Sequence, residues 1–317
     1  MRNLVLYSCL LMLICIQACA QKQEKKEFAK PEAKLPQYPK EKQISYIAHL
    51  NSTTPFELYL DDHLIDWDWR SNANKSVELN PYLLNNGTHT LKVRFFPLES
   101  NKDKLIHPKD IIADKEVKWN LYFVKLKKDT ADQLGYEGEI DYRGSALPIV
   151  APSSPVAVWE QEFKVEVSAL PYHLKGWSEG EDFSKLDQKV LEKEAVSYFN
   201  HLRELLNSGK INEFMALNKT NDFETSVANY DSQEQYSQYH HENVELLSKK
   251  CVGNMRPIDN YKMKIYGNGK ILRLEIPEGK YEHWSVLMSD SKKHGKSSWG
   301  IMLYRPKGSK TFVIIRK

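Results

Sequence analysis

Histidines, acids, hydroxyls and one thiol are the residues of this chain that could do chemistry, and their spacings limit what that chemistry is. His241-Glu242-Asn243-Val244-Glu245 begins like the His-Glu-x-x-His of a zinc protease but ends in Glu. His241 and Glu245 would share one face of a helix, and two ligands do not complete a metal site, so an ion pair is the reading that competes best. Ser289-Asp290-Ser291-Lys292 matches S-x-x-K, yet S-D-N and K-T-G are missing from the chain, and the match falls in an expected strand connection. No G-x-S-x-G nucleophile elbow is expected, and no phosphate-cradling G-x-x-x-x-G-K occurs. Asp61, Asp62, Asp66 and Asp68 lack the glycine and the spacing of a calcium loop. No nucleophile-base-orienter set emerges, no metal or cofactor is expected, and the reading is non-enzymatic. His201, His240 or His283 converging with a carboxylate would reverse that.

Candidate contacts are aromatic and basic. Trp67 and Trp69, with Asp66 and Asp68 beside them, have the chemistry of a sugar-stacking platform. They stand two residues apart on one strand face that Ile65 extends, which favours core. Tyr136, Tyr142 and Arg143 lie in an irregular stretch, 129–156, that makes a candidate contact loop. Tyr198, Phe199, Trp284 and Trp299 would line a helix–sheet cavity, or serve as plain core. Residues 249–317 carry 16 Lys+Arg against 5 Asp+Glu, whereas 181–248 carry 6 against 13. Lys262, Lys264, Lys270, Lys292, Lys293, Lys296, Lys307 and Lys310 therefore offer a basic surface to an anionic partner, or simply protect sheet edges.

The elements that must position these residues follow from periodicity. From Ile44 to about Ser168 the pattern has period two. Strands are expected at 44–50, 56–60, 65–69, 75–79, 91–95, 116–127 and 157–167, with Asp61-Asp62 as a hairpin tip. Seven or so short strands with no helix between them give an antiparallel β-sandwich over 44–168. A linker over 169–183 precedes an α+β unit, 184–317. There, Ser184 with Asp187 resembles a capping box for a helix striped by Leu186, Val190, Ala195, Tyr198, Phe199, Leu202, Leu205 and Leu206. A short helix at 211–217 and another from Asp231 to about Lys249 come next. Strands at 260–266, 270–276, 281–288, 298–304 and 310–316 close the chain. The fold class is a mainly β sandwich followed by helices and an antiparallel meander.

The chain of 317 residues, 45 Lys+Arg against 42 Asp+Glu and 41% hydrophobic, is long enough for about two domains. This composition excludes a polytopic membrane protein, a collagen-like fibre and a wholly disordered chain. Arg2 is the only charge in residues 1–19, and Leu4 to Ile16 make an apolar run too short to span a bilayer as a helix. Residues 1–18 thus read as a secretory signal. Ile16-Gln17-Ala18-Cys19 resembles the lipobox of bacterial lipoproteins, although Gln17 departs from the usual small or apolar residue. The resemblance implies acylation of Cys19, which becomes the first mature residue, and Ala20 after it implies the outer membrane, facing the periplasm or the exterior. Cleavage after the A-x-A pattern Ala18-Cys19-Ala20 is the rival and would release a soluble protein. Residues 19–43, rich in Lys, Glu, Gln and Pro, read as a tether. With Cys9 and Cys15 removed and Cys19 acylated, only Cys251 remains as a thiol, expected to be a buried small hydrophobe.

Two weaker resemblances concern the folded part. Phe56 to Leu60, followed by Asn80 to Arg94 with its Asn85-Asn86-Gly87 turn, is similar to the central hairpins of galactose-binding-like jelly-roll domains. The order of helices then strands after residue 184 resembles nuclear-transport-factor-like or cystatin-like domains, in which helices lie in the concavity of a curved sheet. The functional expectation is a lipid-anchored envelope protein, held to the bilayer through Cys19, that binds a protein or glycan partner without catalysis. An immunity protein or an accessory subunit of an envelope assembly would be examples, and nucleic acid is not an expected partner. The alternative is a hydrolase-like cavity enzyme in the α+β unit, with the sandwich as a substrate-binding appendage.

Overall fold

Asp61 and Asp62 sit at φ 48° and 63°, the two left-handed residues of a tight hairpin turn, so the expected tip joins β2 (Phe56–Leu60) to β3 (His63–Asp68). β2 also pairs antiparallel with β5 (Gly87–Phe95), and β5 with β8 (Trp159–Val167), giving a sheet of order β3-β2-β5-β8. The opposing sheet has the order β4-β1-β6-β7, from β1 (Ile44–Ser52), β4 (Ala73–Glu78), β6 (Trp119–Lys127) and β7 (Ala146–Leu147). Tyr46, Ala48, Leu50 and Leu121 of one sheet meet Phe56, Leu58, Leu91, Val93 and Phe95 of the other in one core, the inward half of the period-two pattern. These are the coordinates of a computed structural model, and they describe residues 33–70, 72–97, 118–127 and 145–316.

Residues Glu32–Lys317 form a single compact unit. The sandwich core continues through Leu35 and through Leu170, Tyr172 and Leu174, so packed chain begins inside the stretch read as tether and runs through the one read as linker. Leu35 is 3% exposed, and its amide donates to Gln233 Oε1 at 3.0 Å.

Three helices follow: α1 (Gln188–Asn207), α2 (Ile211–Ala228) and α3 (Gln233–Cys251). α1 starts later than the Ser184–Asp187 pair implies. Asp187 is itself the N-cap, accepting from the amides of Lys189 and Val190, while Asp182 caps a separate 3-10 turn over Phe183–Lys185. Its buried stripe includes Leu191, and Val190 faces solvent. α2 runs to Ala228 rather than ending near 217. Its buried face includes Asn218, Glu224 and Ser226, and these polar residues break the apolar period that would have announced it. Ser232, not Asp231, caps α3 in a reciprocal capping box with Gln235.

The final sheet has the order β14-β13-β10-β9, from β9 (Lys262–Tyr266), β10 (Ile271–Glu275), β13 (Met302–Tyr304) and β14 (Val313–Ile315). The strand expected at 281–288 gives way to a 3-10 turn at Gly279–Tyr281. The expected 289–296 connection is instead a hairpin of β11 (Met288–Ser291) and β12 (Gly295–Ser298). α2 packs on β14 and α3 on β11. Tyr59 and Leu64 of the β2–β3 hairpin share a second core with Trp177, Tyr266, Ile271 and Tyr304, which ties the sandwich to the final sheet.

Candidate functional site

Helix periodicity places Tyr236, Tyr239, His240 and Asn243 on one face of α3, at i, i+3, i+4 and i+7. α2 sets Asn221, Asp222 and Thr225 opposite them, and the 3-10 turn Asn80–Tyr82 adds Pro81 and Tyr82. With Gly300 these residues line an open cavity of about 360 Å³. The turn is fixed from beneath: Asn80 is wholly buried, its side chain accepts from the Tyr46 amide at 2.8 Å and donates to the Ile44 carbonyl at 2.8 Å. The carbonyls of Pro81 and Leu83 accept from the buried Arg316 guanidinium, which also pairs with Glu224 of α2 at 2.7 Å.

Asp222 is the charged group of this cavity. Its Oδ1 accepts from Asn218 Nδ2 at 2.7 Å, while its buried Oδ2 has no hydrogen-bond partner. Burial pushes its carboxyl up to about 7. The neighbouring Tyr236 hydroxyl is also raised, first by burial and then by the Asp222 charge. Burial, then the neighbouring charge of His241, holds His240 below the ordinary histidine value. Among the described residues lining the cavity none is Lys or Arg.

A second cluster lies in the interior. His283 donates from both ring nitrogens, Nε2 to Glu57 Oε1 and Nδ1 to Glu275 Oε2, each at 2.9 Å. Tyr59 and Tyr266 donate to Glu57 and Glu275 at 2.6 Å, and Arg94 pairs with Glu57 at 2.8 Å. Burial alone would lower the imidazole, but the hydrogen bonds and charges of Glu275 and Glu57 overcome it and raise His283 to about 9. Burial would raise both carboxyls, and His283 and their other partners hold them below the usual carboxylate range. The cluster joins β2 to β10, with all three charged side chains buried.

Trp67 and Trp69 flank this imidazole. The Trp69 ring stacks on His283 at 5.5 Å and 21°, and Trp67 meets it edge-on at 5.4 Å. Both rings are half-buried. Asp66 and Asp68 are engaged by Lys75 and Arg70 at 3.0 and 2.9 Å. Tyr198 packs against Phe312 and Trp284 against Tyr281, Phe199 is core, and the cavity wall is made by other residues than these four aromatics, with Trp299 only adjoining Gly300. Tyr136, Tyr142, Arg143 and Cys19 lie outside the described residues. Lys262 and Lys264 stand on the edge strand β9, whereas Lys292, Lys293 and Lys296 are exposed on the β11–β12 hairpin, in a different sheet; Lys270 donates to the Ser178 carbonyl. The acidic helices and the basic sheet are partly self-satisfied, since Arg305 pairs with Glu181 and Glu194.

Glu245 takes Lys249 as its ion-pair partner, and among the described residues no three His, Cys, Asp or Glu converge on a metal position. Ser289 Oγ is buried within β11, so S-x-x-K spans a strand and its turn. Gly176-Trp177-Ser178-Glu179-Gly180 spells G-x-S-x-G and escapes the sequence reading above. It forms an irregular turn, with Ser178 donating to the Lys175 carbonyl at 2.7 Å and no helix before Gln188, so it lacks the strand-to-helix elbow that activates such a serine. The cavity also escaped, because its walls come from three places far apart in the chain. No helix of the described residues is long and apolar enough to cross a membrane. The chain matches no family model, no curated protein and no solved structure.

Proposed function

We propose that this chain is a lipid-anchored envelope protein whose folded part is a non-catalytic binding module, with the cavity between α2, α3 and the Asn80–Tyr82 turn as its ligand site. The single observation that carries the reading is the cavity itself. It is concave, open, lined by tyrosine rings and side-chain amides, and held by elements that a buried hydrogen-bond network fixes in place. Acylation of Cys19 would keep the site beside the outer membrane, and the lipobox-like Ile16 to Cys19 supports that placement. The paired four-stranded sheets are compatible with the galactose-binding-like resemblance, and the helices packed on an antiparallel sheet with the nuclear-transport-factor-like one.

The binding test follows the backbone amide signals of Asn221, Thr225 and Asn243 while small glycans, peptides and amines are added. Selective movement of those signals, lost in a Tyr239→Ala, Asn243→Ala double variant, is the expected result. A library that moves none of them, or moves them equally in the variant, removes the cavity from the proposal. Cys19→Ser is expected to shift the protein from the detergent phase to the aqueous phase, and unchanged partitioning would refute the anchor.

One observation favours a second reading. Asp222, held near 7, shares the cavity with the His240 imidazole, and a carboxyl tuned to that range suits general acid–base work. Turnover of chromogenic glycoside or ester substrates that Asp222→Asn abolishes, with the fold retained, would replace binding by hydrolysis.

A further inference from the structure

The cavity's walls also specify the charge of what fits in it. Tyr82, Tyr236 and Tyr239 contribute three aromatic rings, and Asp222 contributes the only carboxyl, with no Lys or Arg among the described lining residues to neutralise it. One oxygen of that carboxyl is occupied by Asn218 and the other is covered, so the group acts on a ligand through its field rather than by accepting a new hydrogen bond. Ring faces and an unneutralised carboxylate attract a cation. A covered carboxylate offers little to an N–H donor, which favours a cation that has none. Resting on the reading of the cavity as a ligand site, we infer that it binds a quaternary ammonium group, with the tyrosine rings around the methyl groups and Asp222 as counter-charge.

Ionisation of Asp222 then becomes part of binding. Burial leaves the carboxyl about half protonated near neutrality, and a cation in the cavity pulls it to the charged form and expels the proton. Tyr236 is raised by burial and by that charge and His240 is held below its ordinary value, so both move away from neutrality while the Asp222 carboxyl moves up to about 7.

The test is calorimetric titration of the full chain with choline and with its uncharged carbon isostere, 3,3-dimethylbutan-1-ol. Choline is expected to bind at least about ten-fold more tightly than the isostere. Its affinity is expected to rise about ten-fold between pH 6 and pH 8, with proton release visible as a dependence on buffer ionisation heat. Asp222→Asn, nearly isosteric, should erase the pH dependence and cut the preference for charge several-fold. Tyr239→Leu, at a half-exposed position, should weaken choline several-fold and by a larger factor than it weakens the isostere. Equal or tighter binding of the isostere, or choline binding that Asp222→Asn leaves intact, overturns the ammonium assignment while the cavity remains a ligand site. Failure of choline and of every glycan, peptide and amine to reach the cavity overturns both.

Discussion

Replacing His283 by glutamine removes the one charge that two buried carboxylates share and keeps most of the side chain's volume. The imidazole is 5% exposed and raised to about 9, against an ordinary value of 6.5. That difference amounts to about 3 kcal/mol of stability carried by the charged form. Because the folded value lies above the unfolded one, this contribution is complete below about pH 6 and is lost as pH rises through about 9. Glu57 and Glu275 are held below the ordinary carboxylate range, so they stay ionised throughout that window and their own losses fall on the acid side. The stability gap between wild type and His283→Gln should therefore narrow by about 3 kcal/mol from pH 6 to above pH 9, with about half of that change complete near pH 8. In the variant the carboxylates keep Arg94, Tyr59 and Tyr266 but lose the imidazolium, so they protonate more readily, which trims the gap at its acid end and leaves its direction unchanged. Urea denaturation at several pH values measures it, read from midpoints at constant slope. A gap that stays constant or widens with rising pH would refute the triad as an ionic clasp. His283 also sits at φ 65°, a left-handed conformation that costs a β-carbon residue about 1 kcal/mol or more. Its two carboxylate partners hold it there.

Two further substitutions or modifications have sharp expected outcomes. Arg316 is wholly buried, donating to Glu224 and to the carbonyls of Pro81 and Leu83, so Arg316→Met should cost about 3–5 kcal/mol in urea unfolding, and a loss under about 1 kcal/mol would show that the site repacks. Cys251 is buried, and burial lifts its thiol to about 12, so iodoacetamide should leave it intact in the folded protein near pH 8 and alkylate it in urea. Mass spectrometry distinguishes the two, and native-state labelling at the denatured rate would contradict the burial.

What the sequence disclosed and what it hid divide along the range of the interactions. The Asp61-Asp62 tip, the alternation through β1, β2, β5 and β8, and the burial of Cys251 are settled by neighbours in the chain or by composition, and all were legible. The β11–β12 hairpin was not, because its Ser, Lys and Gly residues carry the chemistry of a loop, and the helix that packs against β11 lies far from it in the chain. α2 hid its length for a related reason: Asn218 and Glu224 occupy its buried face, and Glu224 belongs there only because Arg316, 92 residues later, arrives to meet it.

The same distinction separates the two clusters of titratable groups. His283 and Glu57 are 226 residues apart, and no local pattern marks either as part of a pair. Yet the chemistry of the pair is closed. Each carboxylate has its donors, the imidazole has both acceptors, and the charges are satisfied inside the fold, which makes this a clasp between sandwich and final sheet. Asp222 is the reverse case. One oxygen remains unpartnered, the carboxyl is driven towards neutrality by burial, and the lining residues around it include three tyrosines and no Lys or Arg among the described residues. A buried polar network whose charges balance one another contributes to specifying a structure, whereas a carboxyl beside an open cavity with no cation to balance it offers a cationic ligand a counter-charge. That asymmetry, rather than the number of titratable residues in either place, is why binding is assigned to the cavity between α2 and α3 and not to the histidine triad.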